Sequence, residues 1–423
     1  MIRDIMTIMR GTAAAQAIGF VALPLLARLF EPAAFGHYQV FISSITLLLV
    51  LPTLRYEVAL LRADDRREVS GLLKLCFILS VLMAAVITLA VVAAHFLAPD
   101  DVSADLPFPL WTLIIVGIFG GISQFLNLFA TREKAFSVIA NAKVWQAFGY
   151  AFSAIAIGYL TANEFGLIFA DLAGRVILFG SLVYWLLRKA ENLEWQIDTS
   201  YLKTLAKRYR EYPLISTPGT LINVMGGILT PIMIYATFTP SASGQYGLLE
   251  RSVILPVSFI ILAVGQVFTA QFSDQLRSDR RSALKDVEKL LKVMGAIGIA
   301  LVVGLVALGP FLFELVFGEE WIEAGRLSRL MAPGFATMLL SGPIHMVLTV
   351  LGHQKIQTAW EIGRLVLVCG LWASVPAFGL GLHLAVGLYS AILVICNVAF
   401  VVLAYTMLRR AISTDPTRAD MAN

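Results

Sequence analysis

Charge is scarce in this chain. Only 14% of its 423 residues are Asp, Glu, Lys or Arg, against about a quarter in ordinary soluble proteins. That excludes a solvated globular domain. The formal net charge of +4 gives no cause to invoke a nucleic-acid partner. Cysteine is nearly absent. Cys76, Cys369 and Cys396 all fall in apolar stretches, and no Cys-x-x-Cys pair occurs. Neither a disulfide framework nor a metal site is expected, and buried apolar thiols are. A glycine-rich phosphate loop ending in Lys-Ser/Thr is missing too, so ATP hydrolysis has no site. The alternating ten-residue strands of an outer-membrane barrel are not seen.

What the chain has is apolar runs. Apolar residues make up 58%, in blocks of about the length that crosses a bilayer. Twelve spans are expected, near 9–29, 38–61, 72–97, 109–130, 142–161, 165–187, 213–238, 246–271, 291–317, 330–351, 362–379 and 382–408. The first carries Arg28 and Pro24 and no small-residue cleavage site follows it. It is expected to be a retained span rather than a signal peptide.

The basic residues alternate with the spans. The two tails and the even-numbered connections hold 26 of the 32 lysines and arginines, while the odd-numbered connections hold only Arg326 and Arg329. The positive-inside rule therefore places both termini in the cytoplasm. The chain reads as an all-α polytopic membrane protein.

A repeat divides it. Gly11-Thr12, Pro32, Gly36 and Tyr38 return 208 residues later as Gly219-Thr220, Pro240, Gly244 and Tyr246. Pro24 returns as Pro231, at an offset of 207. The offset covers six spans, an even number, so both copies enter the membrane in the same direction. That predicts two parallel-repeat six-helix lobes. Their expected bounds are 1–190 and 211–410, with a connector at 191–210 and a tail at 411–423. The connector region and the stretch 274–290 each read as an interfacial amphipathic helix or a solvated linker. Pro24, Pro231, Pro256, Pro343 and Pro376 fall inside spans and predict bends, either hinges or static kinks.

The run Leu23-Pro24-Leu25-Leu26-Ala27-Arg28-Leu29-Phe30-x-Pro32-x-x-Phe35-Gly36-x-Tyr38, with Leu54-Arg55-Tyr56-Glu57 after it, resembles the polysaccharide transporter family. These are the Wzx-type flippases of the multidrug/oligosaccharidyl-lipid/polysaccharide exporter superfamily. The motif covers about 50 residues, and the topology covers the whole chain. The resemblance implies movement of an oligosaccharide on undecaprenyl diphosphate from the inner to the outer leaflet of the bacterial inner membrane. The product is O-antigen, capsule, exopolysaccharide or another surface glycan. It implies a cavity lined by the first, second, seventh and eighth helices. It also implies lipid-linked oligosaccharide and membrane lipids as partners. The polymerase and export machinery, and a proton or sodium gradient, are further candidates. No cofactor is implied.

Ionisable residues inside spans are costly and are functional candidates by default. Arg55, roughly 9 Å inside the second span at 1.5 Å per residue, is suited to bidentate phosphate contact. Interfacial snorkelling and an ion pair are the alternatives. Two positions on, Glu57 points to a different face of a continuous helix, so a direct bridge is not expected. The second copy carries Ala263 and Gly265 at these places, which predicts an asymmetric site. Arg28 and Arg251 are candidates for guiding a head group outward, or for anchoring and bridging. Asp171 and Arg175, spaced i,i+4, read as an intramembrane pair. Glu57, Asp171 and Glu314 are candidates for ion coupling, and Arg175 is also a candidate for substrate contact. Gln124, Asn127, Asn223, Gln266 and His345 are candidates for sugar contact, or interhelical glue.

Two other classes compete. A polytopic glycan polymerase or ligase would carry a large external loop, and every odd-numbered connection here is about a dozen residues or fewer. A cation-coupled multidrug exporter of the same superfamily would favour an acidic cavity, and arginines favour an anion. The reading is a transporter, not an enzyme.

Overall fold

The computed structural model describes residues 2–97, 107–161, 163–189, 197–278 and 280–413. Among these the secondary structure is helical, with no strand. In the first part of the chain the helices are α1 (Ile2–Leu29), α2 (Pro32–Leu48), α3 (Arg66–Leu97), α4 (Trp111–Arg132), α5 (Phe136–Leu160), α6 (Gly166–Lys189), α7 (Thr199–Arg208) and α8 (Thr217–Thr237). A short 3-10 helix, Tyr56–Leu61, lies between α2 and α3. After these come α9 (Pro240–Leu249), α10 (Leu255–Ser278), α11 (Arg280–Phe317), α12 (Ile322–Val350), α13 (Gln354–Phe378) and α14 (Leu382–Ser413). Single π-helical turns occur at Val116–Gly120, Tyr212–Ser216 and Glu250–Ile254.

Among the described residues, ten helices are long and apolar enough to cross a membrane. The two further spans expected from the sequence, 38–61 and 142–161, are not among them, each for a physical reason. The first is broken: α2 stops at Leu48, and a turn through Pro52 leads to the 3-10 helix. Proline offers no N–H and disfavours helix in the residue before it. The second is a continuous 25-residue helix, α5, but Asn141, Lys143 and Gln146 dilute its apolar character. Helices run through Pro24, Pro231, Pro310, Pro333, Pro343 and Pro376 without interruption.

The chain forms two compact units, Met1–Gly244 and Gln245–Asn423. In the first, α5 packs against both α1 and α6, and α8 packs against α2. The 3-10 helix is held between α3 and α4, where Leu60, Leu72, Cys76 and Leu126 are fully buried. In the second, α12 is central and packs against α10, α11 and α14. Its core includes Ile344, Leu348, Phe400 and Ala404. Many large apolar side chains point outward, Val21, Phe96, Leu160 and Phe378 among them. Such a surface would aggregate in water and suits hydrocarbon. Cys369 is also exposed, unlike Cys76 and Cys396. The expectation of three buried thiols fails there, because the Cys369 side of α13 is exposed among the described residues.

The repeat is visible inside the first unit. α2 and α9 both start on a landmark proline, Pro32 and Pro240. The two helix starts touch reciprocally. A Cβ on Gly36 would overlap the Pro240 carbonyl oxygen, and one on Gly244 would overlap that of Pro32. Glycine is required for so close a backbone approach.

In the amphipathic stretch before α8 the apolar face packs on protein. In α7, Leu202 and Leu205 are buried against α3. Arg208 reaches the buried Glu68 at 2.8 Å and Asp64 at 3.1 Å. Tyr209 donates to Glu68 at 3.1 Å, and Lys74 donates to the Ile197 carbonyl at 2.8 Å. Burial and the Glu68 carboxylate both raise the pKa of Tyr209. Connector residues 191–196 lie outside the described set. The 274–290 stretch likewise joins a core, with Ala283 and Val287 buried.

Candidate functional site

The site is built on the break after α2. Leu54 and Arg55 both adopt left-handed backbone, with φ of 49° and 65°. For non-glycine residues this costs roughly 1–2 kcal/mol each, and such strain clusters at functional sites. The bend ends the helical register, so Arg55 and Glu57 no longer project from separate faces. Arg55 Nη1 lies 3.8 Å from Glu57 Oε1. The expectation that these two would not pair is corrected, because it assumed a continuous helix.

Glu57 is fully buried. Gln124 Nε2, from α4, donates to its Oε1 at 3.0 Å, and the Thr53 hydroxyl donates closely to Oε2. Thr53 is also fully buried. The carboxylate thus has two neutral donors and one distant cation. Arg55 is different: its side chain is 30% exposed, yet its Nε is buried with no acceptor among the described residues. The guanidinium is anchored from one side and has donor capacity left over. Tyr56, between them, donates to the Ala206 carbonyl at 3.0 Å, which ties the bend to α7.

A second polar group lies deeper along α6. Arg175 Nε meets Asp171 Oδ2 at 2.5 Å. The Tyr38 hydroxyl donates to Asp171 Oδ1 at 3.4 Å, and the Tyr38 ring stacks on Tyr150 at 5.9 Å. Each Asp171 oxygen has a donor, so the pair is neutral and satisfied.

The family model for polysaccharide biosynthesis proteins matches residues 25–326. The chain belongs to the polysaccharide biosynthesis protein family. The teichuronic acid biosynthesis protein TuaB of Bacillus subtilis (strain 168) is 23% identical over 320 residues, 74% of this chain and 63% of that protein. The chain therefore spans less than two thirds of that relative's length. Two solved structures share its fold at a TM-score of 0.68. One is an inward-facing multidrug resistance MATE family transporter of the MOP superfamily, 13% identical, covering 95% of this chain and 96% of that one. The other is the lipid II flippase MurJ in an inward closed conformation, 12% identical, covering 96% and 92%. This family member is a multi-pass protein of the bacterial inner membrane.

Both polar groups fall inside the region that the family model matches. The other sequence candidates are scattered. Arg28, in the last turn of α1, is exposed and is engaged by neighbours. Arg251 is half-buried in the π-helical turn beside Glu250. Glu250 hydrogen-bonds to Tyr246, which also bonds Tyr389. π-Bulges are frequent at functional sites. Asn127 is half-buried on α4 and Asn223 exposed on α8. Among the described residues neither side chain hydrogen-bonds to Glu57. His345 stacks on Phe400 at 4.1 Å and its Nδ1 lies 3.2 Å from Gln357 Nε2. The side chain of Gln266 lies outside the described residues.

Sequence reasoning missed Thr53, Tyr38 and His37. Thr53 stands four residues before Glu57, a spacing that was open to notice. His37 gave no local signal. Its Nδ1 lies 3.1 Å from both the Pro107 carbonyl and the Tyr235 hydroxyl. Its Nε2 lies 3.9 Å from Glu164, and Phe165 meets the ring edge-on at 5.5 Å. This histidine, in the connection before the expected second span, gathers three distant segments. Burial lowers its pKa and the Glu164 charge opposes that.

Proposed function

We propose that this protein is a flippase for an oligosaccharide linked to a polyprenyl diphosphate lipid, with Arg55 as the cation that reads the diphosphate. The observation that carries the reading is the Arg55 guanidinium. It is fixed by a strained bend, paired at 3.8 Å to a buried carboxylate, and left with an unfilled buried donor. Anionic oxygens complete such a group through charge-assisted, bidentate bonds. Family membership supports a glycan as the cargo, and the fold shared with a lipid II flippase supports a lipid-linked one.

In this reading twelve spans form two parallel six-helix lobes, 1–190 and 211–410, with both termini in the cytoplasm. The lobes alternate access to the two leaflets, and substrate moves from the inner to the outer one. Glu57 sets the strength of the phosphate contact. Drawing Arg55 toward itself, it keeps the cation from binding the diphosphate too tightly for release. Asp171–Arg175 serves as a structural pair, and Arg28 and Arg251 guide the head group outward.

The test is leaflet-resolved. Purified protein is placed in liposomes with a fluorescent undecaprenyl-diphosphate oligosaccharide in one leaflet. Loss of protection from an external quencher reports movement. Protein-dependent movement supports the reading. A wild-type protein that leaves the lipid in place but extends or transfers its glycan refutes it.

A further inference from the structure

The second copy of the repeat has an apolar groove at the place where the first copy has its polar site. Arg55 and Glu57, moved by the 208-residue offset, fall on Ala263 and Gly265. Ala263 and Val264 line a groove of about 470 Å³ between α10 and α11. Phe268, 7% exposed and stacked on the buried Phe272 at 5.2 Å, lines it further along. Val293 closes the α11 side. Only Asp286 and Lys289 bring charge to it.

The charge is confined to one end. Lys285, Lys289 and Lys292 recur at helical spacing on the first turns of α11, and all three are exposed. Asp286 is the one acid in the lining, and Glu288 is occupied by the Tyr405 hydroxyl at 2.8 Å. That end is therefore net cationic. Its lysines lie in the basic eighth connection, on the side that the positive-inside rule assigns to the cytoplasm. The rest of the groove runs into a candidate span on either side. An apolar trough with a cationic mouth at the interface matches an anionic lipid entering from the inner leaflet, chain in the trough and head at the mouth.

We propose that this groove holds the polyprenyl chain of the lipid-linked substrate, with Lys289 as the first cation its anionic linkage meets. This rests on the flippase reading. A groove of about 470 Å³ takes a segment of one hydrocarbon chain, and competition between lipids separates a polyprenyl carrier from a phospholipid. The loss of Arg and Glu in the second copy is then the feature that makes room for hydrocarbon.

The test is photo-crosslinking on the full chain in nanodiscs. The probe is a polyprenyl diphosphate with a diazirine near the end of its chain. The expected labels lie on α10 near 263–268 and on α11 near 289–293. An excess of unlabelled polyprenyl diphosphate should reduce them about tenfold, where the same excess of phosphatidylglycerol does not. Val264→Trp should abolish the labels, and the milder Ala263→Leu should reduce them with folding intact. Labels elsewhere, or equal competition by phosphatidylglycerol, overturn the proposal. Transport measured on the same protein separates the two readings. Transport with an unlabelled groove sinks the chain site alone. A labelled, competed groove without transport sinks the flippase reading and leaves the chain site standing.

Discussion

Gly36 packs so closely against Pro240 that a Cβ on the glycine would overlap the proline's carbonyl oxygen, and the repeat returns the contact from Gly244 to Pro32. Two of the landmarks read from the sequence are the positions through which these helix starts touch, and any side chain at either glycine forces them apart.

That relationship gives the first prediction. Gly36→Ala and Gly244→Ala should each lower stability by about 1–3 kcal/mol, the usual range for overpacking. Gly19 has open space around the same atom, so Gly19→Ala should be neutral or slightly stabilising. Thermal unfolding in detergent checks all three. Equal melting temperatures for Gly19→Ala and Gly36→Ala would show that the close approach carries no strain.

The Glu57 cluster predicts a rescue. Arg55→Ala removes the cation paired with a buried carboxylate and should destabilise the protein. Adding Glu57→Gln removes the charge and should restore stability. Thr53→Val takes away a buried donor and should cost about 1–3 kcal/mol. A double-mutant cycle on Arg55 and Glu57 reads the coupling directly. Additive single effects would mean that the two do not interact.

Asp171 and Arg175 predict the same asymmetry. Arg175→Met leaves Asp171 with Tyr38 as its side-chain donor among the described residues and should cost about 3 kcal/mol. The double change Asp171→Asn with Arg175→Met should cost less than that single one. A double variant less stable than Arg175→Met would mean that the pair supplies more than mutual neutralisation.

His37 predicts a pH dependence. Its folded pKa is lowered by burial, with Glu164 pulling the other way and Tyr235 facing the same ring nitrogen as Pro107. The unfolded chain therefore binds more protons in the window just below the ordinary histidine value. The stabilising contribution is full above about pH 6.5 and is lost as pH falls through the folded value. Melting temperature should drop between about pH 7 and pH 5 in the wild type, and His37→Gln should flatten that drop. An unchanged slope in His37→Gln would assign the dependence to other groups.

Much of the fold was legible because apolar runs of span length and a fixed offset are properties of the sequence itself. The fine geometry was not. Pro52 signalled a disturbance in the second span, yet nothing local distinguishes a kinked helix from a helix that ends. Left-handed backbone at Leu54 and Arg55 has no signature in those residue types. It is imposed by the packing of the 3-10 helix between α3 and α4. The apolar residues of α7 fit either an amphipathic helix or a linker, and pattern alone does not say whether an apolar face meets lipid or protein. Here Leu202 and Leu205 meet protein. The Gln124–Glu57 and His37–Tyr235 contacts join residues 67 and 198 positions apart, and no window of sequence brings such pairs together.

The central claim is that Arg55 reads the diphosphate. The most direct measurement is the initial rate of lipid-linked oligosaccharide movement in liposomes for wild type, Glu57→Gln, and the double variant Arg55→Ala with Glu57→Gln. The two variants share a neutral residue 57, so they differ only at the cation. The account predicts that Glu57→Gln still transports and that the double variant, equally folded, loses at least about tenfold, equivalent to about 1.4 kcal/mol of lost contact. Equal rates in the two variants would contradict it, because the site would then work without its cation.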